Sequence, residues 1–266
     1  MDNRPIGIFD SGVGGITVAK EVMRHLPVED IIYFGDTARV PYGSKSRETV
    51  TKFSKQIARF LIANDVKAII VACNTVSSNC LEDLRSEFDI PLFGVVEPGV
   101  AAAVSATKNN RVGVIGTEAT IRSGLYEKLI KAANSAAFVH QKACPLFVSL
   151  AEEGFFDGEI TSLAVKYYID ELIADDIDTL VMGCTHYPLL ADCIGKMAGG
   201  GITIVNPAAA TALQTRAFLE DNNMLGDRQK GKPTFYVSDN TEKFNMLSEI
   251  VLGQGFEACK VDIEKY

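Results

Sequence analysis

Short apolar runs alternate with amphipathic stretches along nearly the whole chain. The runs Ile6–Phe9, Ile31–Phe34, Ala68–Val71, Leu92–Val96, Val112–Ile115 and Leu180–Met182 are rich in β-branched residues and too short for helices. Their successive positions are apolar, as strands buried on both faces of a parallel sheet require. Between them apolar residues recur at helical spacing. Ala19, Val22, Met23 and Leu26 form one such face, and Val50, Phe53, Ile57 and Phe60 another. Leu81, Leu84 and Phe88 form a third, and Leu189, Leu190, Cys193, Ile194 and Met197 a fourth. Strand–helix alternation of this kind predicts an α/β fold, with helices covering mostly parallel sheets.

The pattern also repeats. Pro5 to Ser11 resembles Arg111 to Thr117, and Ala68 to Thr75 resembles Thr179 to His186. The separation from Gly7 to Cys73 nearly matches that from Gly113 to Cys184. Two pseudo-symmetric α/β domains with a cleft between them are expected, each ending a central strand in a cysteine followed by small polar residues. Glu97-Pro98-Gly99 and Asn206-Pro207-Ala208-Ala209 each follow an apolar strand, where proline stops a ladder and favours a turn. Crossings there divide the chain into a first domain of residues 1–96 plus 210–266 and a second of residues 97–209.

The chain has 266 residues, 47% of them apolar, which is enough to bury a core in each unit. Its 26 basic and 34 acidic residues give a net charge of −8, which argues against a general nucleic-acid binder or a basic membrane-surface protein. No apolar run approaches the roughly 18–20 residues that span a bilayer. The beginning, Met1 to Gly12, lacks the basic region and apolar segment of a signal peptide, so a cytoplasmic location is expected. The six cysteines include no CxxC pair and read as free thiols rather than a disulfide framework. Cys80, Cys193 and Cys259 read as buried small hydrophobes, and Cys144, just before Pro145, as structural.

Ligands of open α/β sheets gather beyond the carboxyl ends of the strands, and four polar clusters fall there. Asp10-Ser11-Gly12-Val13-Gly14-Gly15 can bring backbone N–H groups close to an anion, yet it matches neither a Walker loop nor a dinucleotide fingerprint. Asp36 to Gly43 ends in Pro41-Tyr42-Gly43, able to offer N–H groups and a phenol to a cleft. Cys73-Asn74-Thr75 and Cys184-Thr185-His186 carry the reactive groups. A thiol at a helix N-terminus is easier to ionise. Two thiols facing each other across a domain cleft can take a proton from one side of a carbon and return it to the other.

The residues alone leave other readings open. Cys184 and His186 could join Cys73 around zinc, but their spacing suits the usual paired motifs poorly, and no metal is expected. Cys184, His186 and Asp10 could form a nucleophile system, which would leave Cys73 without a role. Two lobes around a cleft could also serve a non-catalytic binding module.

Taken together, the Asp10–Gly15 turn, Gly35-Asp36-Thr37-Ala38-Arg39 with Pro41-Tyr42-Gly43, the two cysteine clusters, Gly116-Thr117 with Ala119-Thr120, and Gly183 to Pro188 resemble the aspartate/glutamate racemase superfamily, and the resemblance runs end to end. It implies cofactor-independent interconversion of L- and D-glutamate, the D-isomer supplying peptidoglycan synthesis. It also implies that Cys73 and Cys184 are the two bases, assisted by Asp10 on one side and by His186 with Glu152 on the other. Glu153 is adjacent and competes with Glu152 for that part. Implied substrate contacts are Asp10, Ser11, Tyr42, Gly43, Asn74, Thr75, Thr185 and His186, with Thr117 and Thr120 close by. These motifs hold no Lys or Arg for a dicarboxylate, so neutral donors and helix dipoles must serve. An aspartate racemase is the nearest rival within the superfamily. Superfamily members often form dimers, so a homodimer is compatible with the resemblance.

Overall fold

A computed structural model describes residues 1–266. Ten strands occur in chain order: β1 Ile6–Asp10, β2 Ile31–Gly35, β3 Ala68–Val71, β4 Leu92–Gly94, β5 Arg111–Gly116, β6 Phe138–Ala143, β7 Thr179–Gly183, β8 Thr203–Val205, β9 Pro233–Val237 and β10 Ala258–Lys260. They form two sheets with every pairing parallel. One sheet has the order β10-β9-β2-β1-β3-β4, and the other β6-β5-β7-β8. The mixed α/β class expected from the pattern is therefore the one observed.

The sequence repeat has a counterpart in register. Gly7 of β1 lies opposite Ile69 of β3, four residues before Cys73, and Gly113 of β5 lies opposite Leu180 of β7, four residues before Cys184. The order β2-β1-β3-β4 in one sheet matches β6-β5-β7-β8 in the other. Each cysteine thus leaves the carboxyl end of the strand beside its sheet's leading strand.

Both faces of each sheet are covered. Ile6 and Ile8 of β1 pack with Val18, Ala19 and Val22 of the helix Ile16–His25 and with Ala208, Ala212 and Leu219 of the helix Pro207–Asp221. Phe9, from the opposite face, packs with Val50, Ile57 and Phe60 of the helix Arg47–Ala63 and with Cys73. In the second sheet Val112 and Val114 meet Val100, Tyr126 and Ile130, while Ile115 and Met182 meet Val165 and Ile169. The alternation arises because successive strand residues point to opposite faces.

Several expectations need revision. Strand β4 stops at Gly94, because Val96 already starts the helix Val96–Ala106. Pro98 sits in the first turn of that helix and Pro207 at the first position of the helix Pro207–Asp221, so neither proline makes a turn. A first-turn N–H has no intrahelical partner, so proline is tolerated there. The two helices touch: a Cβ on Gly99 would lie 2.9 Å from Pro207 Cγ, so only glycine permits this approach. The apolar face around Leu189 to Met197 is broken in two, a 3-10 turn Tyr187–Leu190 containing Pro188 and then the helix Ala191–Ala198. Cys259 is exposed on β10, at the edge of the sheet, rather than buried, whereas Cys80, Cys144 and Cys193 are buried.

Asn206 caps the helix Pro207–Asp221 by accepting the Ala208 N–H at 3.1 Å. We expect Asn206→Ala to lower stability by about 1 kcal/mol, with little change in the denaturant m-value, as checked by urea unfolding. A loss within error of zero would mean that the cap contributes nothing.

Candidate active site

The carboxyl ends of β1, β3, β5 and β7 converge on one narrow cleft. It is lined by Ser11, Pro41, Tyr42, Gly43, Cys73, Asn74, Thr75, Thr117, Val148, Cys184, Thr185 and His186. Both cysteines therefore line a common cavity, as do nine in all of the eleven residues singled out for the site. Of the other two, Asp10 lies just beneath, fully buried, and Glu152 reaches the cleft through His186. No Lys or Arg lines the cleft.

Close approach of the lobes depends on glycine. A Cβ on Gly43 would fall 2.4 Å from the Cβ of Thr117, which belongs to the other lobe. Thr75 and Thr117 also join across the cleft, Oγ1 to Oγ1 at 2.9 Å, and Thr117 continues to Thr120 at 3.0 Å.

On the Cys73 side, the Asp10 carboxylate accepts the Gly12 N–H at 3.0 Å and the Thr185 hydroxyl at 3.1 Å. Burial raises its pKa above the ordinary value, against the pull of His186 and of the donors around it. Cys73 caps the six-residue helix Asn74–Asn79, a place expected to favour thiolate. Burial nevertheless wins: reinforced by the charge of Asp10, it pushes the thiol up to about 12 despite the Val76 N–H and Ser11. Burial thus favours the protonated form of Cys73.

The Cys184 side is built differently. The expected helix start is only the short 3-10 turn Tyr187–Leu190, so the sulfur relies on a side chain. Its Sγ is 3.8 Å from His186 Nδ1, and His186 Nε2 is 2.6 Å from Glu152 Oε1. Burial works against a charged imidazole here. The hydrogen bonds to Cys184 and Glu152 outweigh it and hold His186 well above the usual histidine range. Burial likewise opposes the Glu152 carboxylate, but the His186 contact prevails, helped by Lys243, and its pKa is lowered. Glu153 instead points outward to Lys243 Nζ at 2.9 Å. Of the two adjacent carboxylates, Glu152 is the one joined to the cleft.

Tyr42 departs from the expectation that its phenol faces the cleft. Its hydroxyl donates to the buried carboxylate of Asp36, which also accepts from Arg39 Nε at 2.7 Å and Ser238 at 2.8 Å. A buried carboxylate needs such donors, so the hydroxyl turns inward. Sequence reasoning did not single out Val148, which lines the cleft, or Tyr126, whose hydroxyl reaches Asn74. Tyr126 lies 52 residues from Asn74, so no local spacing could reveal the pair. His25 and His140 stand elsewhere, beside Glu21 and Asp175.

Solved proteins with this arrangement of two parallel sheets are racemases. The chain belongs to the Asp/Glu/Hydantoin racemase family, whose pattern it matches over residues 17–215, and it is an enzyme of the isomerase class. Its full-length relatives are glutamate racemases: it is 48% identical to that of Persephonella marina over 98% of both chains. The glutamate racemase of Bacillus anthracis has a similar structure, with a TM-score of 0.95 at 39% identity over 98% of each chain. That of Francisella tularensis, solved with D-glutamate, gives 0.93 at 40% identity over the whole of both chains.

Proposed function

We propose that the protein interconverts L- and D-glutamate without a cofactor, with Cys73 and Cys184 as bases on opposite sides of the α-carbon, and that it supplies D-glutamate for peptidoglycan synthesis in the cytoplasm. The observation that supports this reading is that Cys73 and Cys184 line one cavity together with Ser11, Asn74, Thr75 and Thr185. In one direction Cys184 passes its proton to His186, whose charge Glu152 balances, and the thiolate removes the α-hydrogen. Cys73, held as a thiol, delivers a proton to the opposite face. In the other direction Cys73 must become the base. Burial raises the proton affinity of Asp10, which makes that carboxylate a suitable acceptor for the Cys73 proton.

The substrate's carboxylates are met by N–H and hydroxyl donors from Ser11, Gly43, Asn74, Thr75 and Thr185, which suit charge developing toward an enolate. Asp10, joined to the lining residue Thr185 at 3.1 Å, suits the ammonium group.

The test is incubation with L-glutamate in D2O without added cofactor, following optical rotation and deuterium at the α-carbon. Loss of rotation is expected, with one solvent deuteron gained for each inversion. Folded protein that gives neither inversion nor exchange overturns the proposal.

A further inference from the structure

We propose that Tyr126 is a positioning residue for substrate recognition: from the second lobe, its hydroxyl fixes the side-chain amide of Asn74 so that N–H donors, and not the carbonyl oxygen, face the cleft. The inference rests on the reading of the cleft as a glutamate site. Tyr126 lies in the helix Leu125–Ala133 and is fully buried. Its hydroxyl donates to Asn74 Oδ1 at 2.7 Å. A Cβ on Gly183 would come within 3.3 Å of the Tyr126 ring, and one on Gly99 within 3.4 Å of its hydroxyl, so glycines on two elements shape the slot. The ring is thereby held with its hydroxyl aimed across the lobe boundary.

The consequence concerns Asn74. An amide presents an acceptor on one side and two donors on the other, and turning it over exchanges them. Asn74 is buried and lines the cleft. With its oxygen taken by Tyr126, the Nδ2 group has no protein acceptor, yet it is not among the buried unpaired atoms. Its hydrogens are therefore open to the cleft. In a site without Lys or Arg, the orientation of this amide decides whether a carboxylate beside Asn74 meets two further donors or a repelling oxygen.

Tyr126→Phe keeps the ring and removes the tie. The Asn74 oxygen, left unpaired in its buried slot, then gains by turning toward the cleft. Carboxylate binding must reverse that turn. We expect KM for L-glutamate to rise about tenfold, with kcat within about twofold, because Asn74 is not a base. Dissociation constants for glutarate, a dicarboxylate with no α-amino group and no turnover, measured calorimetrically on both proteins, are expected to weaken by the same factor. The thermal melting point should fall by only a few degrees, roughly what one lost hydrogen bond gives. Unchanged KM and unchanged glutarate affinity overturn the inference. So does a loss confined to kcat, which would mark a structural disturbance of the bases. A wild-type protein that binds glutarate in a Tyr126-dependent way without racemising glutamate would sink the proposed function and leave this inference standing.

Discussion

Alanine at either Cys73 or Cys184 is expected to cut racemisation at least about a thousand-fold, at the upper part of the range for a positioned acid or base. The two variants should then differ in what they still do. With one sulfur gone, the other can still take the α-hydrogen from its own face and return solvent deuterium to that face. Cys73→Ala should therefore exchange the α-hydrogen of one enantiomer with retention, and Cys184→Ala that of the other. The two cysteines line one cleft but are buried among different partners, Asp10 for one and His186 with Glu152 for the other, so their exchange rates need not match. Each substitution removes only a small buried group and should cost about 1 kcal/mol of stability, far too little to explain the loss by unfolding. Deuterium wash-in followed by NMR on each separate enantiomer checks this. Racemisation near the wild-type rate in either variant, or exchange of the same enantiomer by both, would remove the two-sided arrangement.

Much of this architecture was legible in the amino-acid order, and the limits have physical causes. Strands β1, β2, β3, β5 and β7 were visible because each is buried on both faces and so reads as an unbroken apolar run. Strand β10 escaped because it is an edge strand of three residues, partly exposed, without such a run. The prolines misled for the opposite reason: Pro98 and Pro207 punctuate the chain, but at a helix start rather than a turn, and sequence alone weighs both alike. At the site, the residues on strand ends were found because chemistry and repeat coincide there. Glu152 was separable from Glu153 only once His186 was in place, since the choice depends on which side of one helix end faces the cleft. Cys73 shows the sharpest limit. Its place at a helix start suggested an easily ionised thiol, whereas burial, which sequence does not measure, pushes it the other way.

Because the enantiomers have equal free energy in water, kcat/KM must be the same in both directions for the wild type and for every variant. A residue that assists only one base therefore cannot reveal itself in that ratio, and its effect must appear in kcat and KM separately. His186→Asn, which removes the group proposed to take the Cys184 proton, its Nδ1 3.8 Å from the sulfur, should lower kcat/KM about a hundred-fold or more in both directions. Its kcat should fall unequally in the two directions. Glu152→Gln keeps a side chain of similar shape beside His186 but removes the negative charge, and about a tenfold loss is expected. Its pH profile is the more telling measurement. Burial lowers the His186 pKa, and the bonds to Cys184 and Glu152 more than reverse that, so the proton stays to a pH above the ordinary histidine range. Glu152, its burial likewise overcome by His186, stays ionised to a pH below the ordinary carboxylate range. The pair thus persists between these limits, lost as pH rises through the raised histidine value or falls through the lowered glutamate value. In Glu152→Gln the acidic limit disappears, and the alkaline limb should move to lower pH because one of the two bonds holding the proton has weakened. An alkaline limb that stays in place or moves upward would show that Glu152 does not tune His186. His186→Asn within twofold of wild type would take His186 out of the proton path altogether.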